Sequence, residues 1–334
     1  MKPSARSAKP VVDFASAAML RVLAQGMREL GMDPGPTAAR TGRAATVPLN
    51  EKRALLSAAV AQGGIGCLAL LGRGLHRYAH EPTHSALASA RDAGDLFARW
   101  ARLERYIHSR HRIEVQAMTR GHARIVHLAR PGFPAPLPAE DLVVLGVLVA
   151  LLEAIGASAV SAFIGDVPIY PEPDHQALAA AAARQHTSAW SIGWAAPSRS
   201  LPIEGTPVLY LPKVAAPQAW PEHAQRSFIA LCADLMSPKT LPALAQAQGE
   251  APRTLQRHLN RAGLSYSELL AQARCSSASW WLTRTATAIA EVGFISGYSD
   301  QPHFTRDFRA RVGLTPLGYR KAFDTQGTGA AGLA

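Results

Sequence analysis

The chain has 334 residues, with 35 Lys and Arg against 24 Asp and Glu, a formal charge of +11. That length suits two domains of about 150 residues each, and a hydrophobic fraction of 48% excludes a wholly disordered chain. The longest strongly apolar run, Leu142 to Leu152, stops at Glu153, short of the ~20 residues of a membrane span, and Asp13 interrupts the N-terminus before a secretory signal can form.

In chain order, residues 1–10 read as a basic tail. Met19, Leu20, Leu23, Met27 and Leu30 recur at helical spacing over Ala17 to Leu30 and stop at Gly31. Asp33 to Pro36 is a loop. Asn50 is expected to cap a helix through Leu55, Leu56 and Val60 that ends at Gly63-Gly64. Leu96, Trp100, Leu103 and Ile107 lie on one face of a helix over Asp95 to Ser109. Arg112 to Met118 and His122 to Leu128 alternate as strands around Gly121, a hairpin. Glu140 to Ile155 reads as a buried helix, Val160 to Ile164 as a strand and Asp174 to Arg184 as an Ala-rich helix. Prolines recur from Pro197 to Pro221 and prevent long regular elements there, so the end of that stretch is read as a linker. Beyond Phe228 the pattern is helical. The expected organisation is an α+β domain over residues 1–222, an all-α domain over 223–325 and a flexible tail over 326–334.

The all-α part repeats one unit. Thr240 to Gly249 followed by Ala251 to Asn260 matches Ala288 to Gly297 followed by Asp300 to Arg309. Gly249 and Gly297 are 48 residues apart, while Arg257 and Arg306 are 49 apart, so the second turn is one residue longer. Each unit has a short apolar-faced helix, a glycine turn and a helix with a basic face, the pattern of a helix-turn-helix. A long helix from Tyr266 to Leu282, opened by the capping box Ser265 to Glu268, joins them. In the first unit Arg253, Gln256 and Arg257 share the face opposite Leu255 and Leu259; in the second, Gln301, His303, Thr305 and Arg306 oppose Phe304 and Phe308. Arg suits guanine O6 and N7, and Gln suits adenine N6 and N7. Arg309 and Arg311 are placed to reach phosphates and set register. Ala251 and Ala288 stand where a Ser or Thr cap is usual; Thr287 is a candidate to cap one residue early.

The stretch Leu255-Gln256-Arg257 with Ala262 to Tyr266, the linker residues Arg274, Ala278 and Leu282, and the run Gly297 to Gln301, Phe304 to Phe308, Gly313 to Pro316 and Tyr319-Arg320 resemble the AraC/XylS family of bacterial transcription regulators. The match covers residues 226–324. The resemblance implies a sequence-specific regulator, commonly an activator, with base contacts at Arg253, Gln256, Arg257, Gln301, Pro302, His303, Thr305 and Arg306. It implies double-stranded promoter DNA and RNA polymerase as partners, and a homodimer; the expected location, the cytoplasm, follows instead from the apolar runs and the scattered cysteines. The N-terminal part is similar to the sensing domain of the branch grouped by an arabinose-binding-like N-domain, which implies a small-molecule effector without identifying it.

Charge divides unevenly: net +11 over residues 1–130, −5 over 131–225 and +5 over 226–334. Seven of the 12 histidines fall between His76 and His127, but no Cys or carboxylate pattern completes a metal site, and no cofactor is expected. Trp190, Trp194 and Tyr170, with Tyr210, are weak candidates for a ligand pocket and stronger ones for a core. Trp280 and Trp281 read as packing residues. The cluster Gly63 to Gly66 lacks the Gly-Lys-Ser/Thr ending of a phosphate loop. An alkylation-repair enzyme carrying the same DNA module needs four closely placed cysteines; Cys67, Cys232 and Cys275 do not supply them, and they suit a reducing compartment. The remaining alternative is an architectural DNA binder of low specificity, without a ligand.

Overall fold

The computed structural model describes residues 14–36, 46–78, 82–106, 110–195, 214–217 and 220–323. The basic tail, His80, His108, Tyr210, the C-terminal tail and most of the proline-rich stretch lie outside the described residues. The N-terminal region is mixed α and β, and the C-terminal region is helical.

The short strands β1 (Phe14–Ser16) and β2 (Thr46–Pro48) pair antiparallel and bracket α1 (Ala17–Glu29). Ser16 caps α1, its hydroxyl accepting from Met19 N. Helix α2 (Leu49–Gly63) starts directly from β2, so Asn50 lies inside the helix and does not cap it; Pro48 occupies the cap position without a side-chain hydrogen bond. A 3-10 helix, Ile65–Tyr78, then crosses the core, unread in the sequence because three glycines interrupt it. Those glycines let backbones touch. A Cβ on Gly72 would lie 2.2 Å from Gly146 O, and one on Gly146 would lie 2.4 Å from Ala69 O.

Helices α3 (Pro82–Ala88) and α4 (Ala93–Tyr106) lead into a five-stranded antiparallel sheet of order β3-β4-β7-β5-β6. Its strands are β3 (His111–Thr119), β4 (His122–Ala129), β5 (Ser158–Ile164), β6 (Val167–Tyr170) and β7 (Ala189–Ala195). The expected hairpin is present as β3–β4, with a register shift between Val115 and Ala117. Ala123 and Ile125 of β4, Trp190, Ile192 and Trp194 of β7, and Val160 and Ala162 of β5 alternate inward. Helix α5 (Pro138–Ala154), apolar on nearly every side, fills the space between the sheet and the 3-10 helix. Helix α6 (His175–Ala183) is capped by Asp174.

The C-terminal region runs α7 (Glu222–Cys232), α8 (Leu241–Ala247), α9 (Pro252–Arg261), α10 (Tyr266–Arg284), α11 (Ile289–Ile295), α12 (Gln301–Val312) and α13 (Pro316–Phe323). Two apolar clusters divide it. Phe228, Leu231, Leu244, Leu255, Leu259 and Leu269 form one. Trp281, Leu282, Val292, Phe294, Phe304 and Phe308 belong to the cluster that also contains the core of the N-terminal region. Among the described residues, no single helix is long and apolar enough to cross a membrane.

Candidate nucleic-acid interface

Helices α8 and α9 form a helix pair around a tight turn. Thr240 caps α8 through Ala243 N, and Gly249 makes the turn at φ +71°. Leu255 and Leu259 spend one face of α9 on the core, both fully buried. The opposite face is left to solvent and carries Arg253 and Arg257, with Gln256 half-buried beside them. Gln256 Nε2 donates to Asn260 Oδ1 at 2.9 Å, which holds the amide along the helix. Ala251 gives α9 no side-chain cap, and Pro252 begins the helix with its φ already set.

Helices α11 and α12 repeat the plan with a firmer start. Asp300 caps α12, Oδ1 accepting from His303 N at 2.7 Å, and that hydrogen bond heads the causes that hold its carboxyl below the usual range. Ala288 begins α11 uncapped, and Thr287 does not replace it, its hydroxyl pairing with that of Thr285 at 2.9 Å. Inward, Tyr298, Phe304, Phe308 and Tyr319 form a chain of ring contacts between 4.9 and 5.3 Å apart at Tyr298–Phe304 and Phe308–Tyr319. Outward, Arg306 and Arg309 are exposed, and Gln301, His303 and Thr305 are half-buried. His303 Nδ1 lies 3.0 Å from Ser299 Oγ.

Among the described residues, no ion pair engages Arg253, Arg257, Arg306 or Arg309, so these four present guanidinium charge outward. Arg311 differs from its expected phosphate role. It pairs with Glu268 at 2.7 Å and with Asp307 at 3.1 Å, fastening α12 to the start of α10. Asp307 in turn accepts from Tyr298 OH at 3.0 Å. These contacts brace the helix that displays Arg306 and engage Arg311 within the protein.

A model described as a helix-turn-helix domain matches residues 244–322, the stretch from α8 to α13. The C-terminal segment is an AraC-type helix-turn-helix domain. Curated relatives align over the same kind of span. The ornithine utilization regulator of Pseudomonas aeruginosa is 35% identical over 26% of this chain and 27% of its own. The transcriptional activator NphR of a Rhodococcus species is 37% identical over 25% of this chain and 24% of its own. The urease operon transcriptional activator of Escherichia coli is 31% identical over 24% of this chain and 27% of its own. The chain thus spans about a quarter of the length of these relatives, and all three are named as regulators.

The weak ligand candidates sit in packed surroundings. Trp190 donates from Nε1 to Thr187 O at 2.6 Å. Trp194 meets Phe97 edge-on at 6.4 Å. Tyr170 donates to Glu153 Oε1 at 2.6 Å beneath the Arg73 guanidinium. Trp281 is buried and Trp280 packs against it, as expected of packing residues. Two of the clustered histidines are buried beside one another: His127 pairs with Asp141 at 2.8 Å, and burial lowers the basicity of His111. Among the described residues, no group of three His, Cys, Asp or Glu side chains is arranged to hold a metal. Burial pushes the thiols of Cys67 and Cys275 up to about 11 and that of Cys232 to about 12, away from the thiolate that nucleophilic chemistry requires.

Sequence reading missed Arg99, Arg102, Asp234 and Glu291, which join the N-terminal region to the helical C-terminal region. Arg99 Nη2 donates to Asp234 Oδ2 at 2.8 Å, and Ser16 Oγ donates to Glu291 Oε1 at 3.1 Å. The one local signal was Arg99 four residues after Asp95; partners 135 and 275 residues away leave no periodic trace.

Proposed function

We propose that the protein is a sequence-specific transcription regulator that binds promoter DNA through both helix pairs, α8–α9 and α11–α12, each acting as a helix-turn-helix. The observation that carries this reading is the pair of basic helix faces, Arg253 and Arg257 on α9 and Arg306 and Arg309 on α12, left exposed because Leu255, Leu259, Phe304 and Phe308 take the opposite faces into the core. Arg253, Gln256, Arg257, Gln301, His303, Thr305 and Arg306 read bases, and Arg309 contacts phosphate. Residues 223–325 form the DNA-binding domain, and residues 1–222 form the sensing and dimerising domain, controlled by a small-molecule effector. The protein works in the cytoplasm beside RNA polymerase. Two of the three relatives are named as activators, which favours activation here.

Arg306→Ala tests the base-reading role. The variant is expected to lose about 1–3 kcal/mol of operator binding and to relax specificity at one base position. Binding titrations against the operator and its single-base variants at fixed salt measure both. Unchanged affinity removes Arg306 from the interface. A specificity ratio far below ~10³ over random duplex would instead mark an architectural binder.

A further inference from the structure

We propose that the N-terminal region is a splint that sets the separation of the two recognition helices, and that Asp234 is the positioning residue through which it holds the first of them. The proposal rests on the DNA-binding reading above and concerns how the two halves are kept in register.

The two helix pairs stand in different cores. The buried residues packed around α8 and α9 run from Ala224 to Ala273, with Val214, Ala216 and Trp220 at their edge. Helix α11 is buried along Glu291 to Ile295 and lies against α3 and α4 of the N-terminal region. Within the C-terminal region, α10 links the pairs, its 19 residues spanning about 28 Å.

The loop from α7 into α8 adds a second connection. Asp234 Oδ1 accepts from Met236 N at 3.0 Å and Ser237 N at 3.1 Å, which folds the loop on itself. Asp234 Oδ2 faces the N-terminal region and takes the hydrogen bond from Arg99 Nη2 at 2.8 Å. The Arg99 side chain is 1% exposed and is also held by Asp95 Oδ2 at 3.0 Å and Ala86 O at 2.7 Å, so it is a fixed post. One turn along α4, Arg102 donates to Met236 O at 3.2 Å and lies over the Phe294 ring of α11 at 5.7 Å. On the far side of the loop, a Cβ on Gly297 would lie 2.2 Å from Leu235 O. Residues 234–236 thus touch the N-terminal region and the turn before α12 while remaining covalently part of the first half.

None of these contacts covers a reading face. Arg253, Arg257 and Arg306 stay exposed with the loop in place. The contact therefore acts on relative placement and not by masking. Two recognition helices must meet major-groove segments about one turn, roughly 34 Å, apart. A charge-assisted bond from a buried guanidinium resists the movement of one half past the other.

The test uses the full chain, Asp234→Asn, and operators whose two recognised segments are moved apart by one and by two base pairs. Asn keeps the Oδ1 acceptor for the loop and removes the charge facing Arg99. The unmodified protein is expected to lose about tenfold or more in affinity with altered spacing, and the variant to bind all spacings within about threefold of one another. A variant that keeps the unmodified spacing profile overturns the proposal. Asp234→Glu is expected to restore part of the discrimination. Amide hydrogen exchange supplies a reading independent of DNA: faster exchange at Met236 and Ser237 with Leu142 to Leu152 unchanged shows release without unfolding, and no change at the loop removes the splint. If the unmodified chain shows no sequence preference, the DNA-binding reading and the spacing role fall together, while the exchange data still decide whether Asp234 fastens the loop.

Discussion

Helices α8 and α9 rest on a core made within the C-terminal region, whereas α11 and α12 share a core with the N-terminal region. Their starts differ in the same sense. Helix α9 begins at Ala251 without a side-chain cap, and α12 begins at Asp300 with one. Helix α12 is also fastened to α10 through Arg311 and Glu268. Two copies of one unit have thus been given different supports: the second is built into the body of the molecule, and the first is attached by α10 and by one loop. Of the exposed arginines only Arg257 and Arg306 stand at matching positions of the two units, whereas the inward pairs Leu255 and Phe304, and Leu259 and Phe308, are apolar and buried in both.

The largest expected effect tests that difference directly. Phe294 and Phe228 are both fully buried, one in each core. Truncating either to Ala is expected to cost about 3–5 kcal/mol. Phe294→Ala should destabilise the N-terminal region and the second pair together; Phe228→Ala should loosen only the first pair. Segment-resolved hydrogen exchange in denaturant separates the two, and equal loosening of all segments in both variants would erase the distinction.

A smaller effect comes from Glu104 on α4, the helix that carries α11. Burial pushes its carboxyl up to about 7, against hydrogen bonds from Trp100 Nε1 and Ile113 N that pull it down. The unfolded chain releases this proton near the ordinary 4.5, while the folded chain keeps it to about 7. Folding stability therefore falls as pH rises through that window and levels off above it, by up to about 3 kcal/mol. In Glu104→Gln this component of the slope should vanish in unfolding curves from pH 5 to 8, and the change should register at α11 before α9. The smallest effect is a gain. Ala251→Ser supplies the missing cap and should stabilise the first pair by about 0.5–1 kcal/mol, visible as slower exchange in α9.

The elements legible in the sequence were those with an amphipathic period or a cap. Helices α1 and α4 to α6, the β3–β4 hairpin and β5 fall close to their expected bounds. The 3-10 helix was hidden because its glycines read as breaks, when they serve contact with the backbones of α1 and α5. Strand β7 alternates Trp190, Ile192 and Trp194 inward over only seven residues, and Gly193 and the flanking alanines weaken its strand signal. Asn50 misled because a strand ending in Pro48 runs straight into α2. Within the interface, the outward residues followed from helical spacing. Arg311 did not, since its partner Glu268 lies 43 residues away on another helix.

The shared core has a bearing on how the chain is made. Phe294 is translated 192 residues after Arg102, which it meets in the finished fold. At a synthesis rate of about 5–20 residues per second, roughly 10–40 s pass between the two. During that interval the face of α4 that receives α11 has no occupant from its own chain. The first helix pair, whose core closes by Ala273, can assemble earlier. Where several copies are being made close together, that waiting face can receive the α11 of a finished neighbour, so exchanged dimers should increase with the level of synthesis and fall when synthesis is slowed or dispersed.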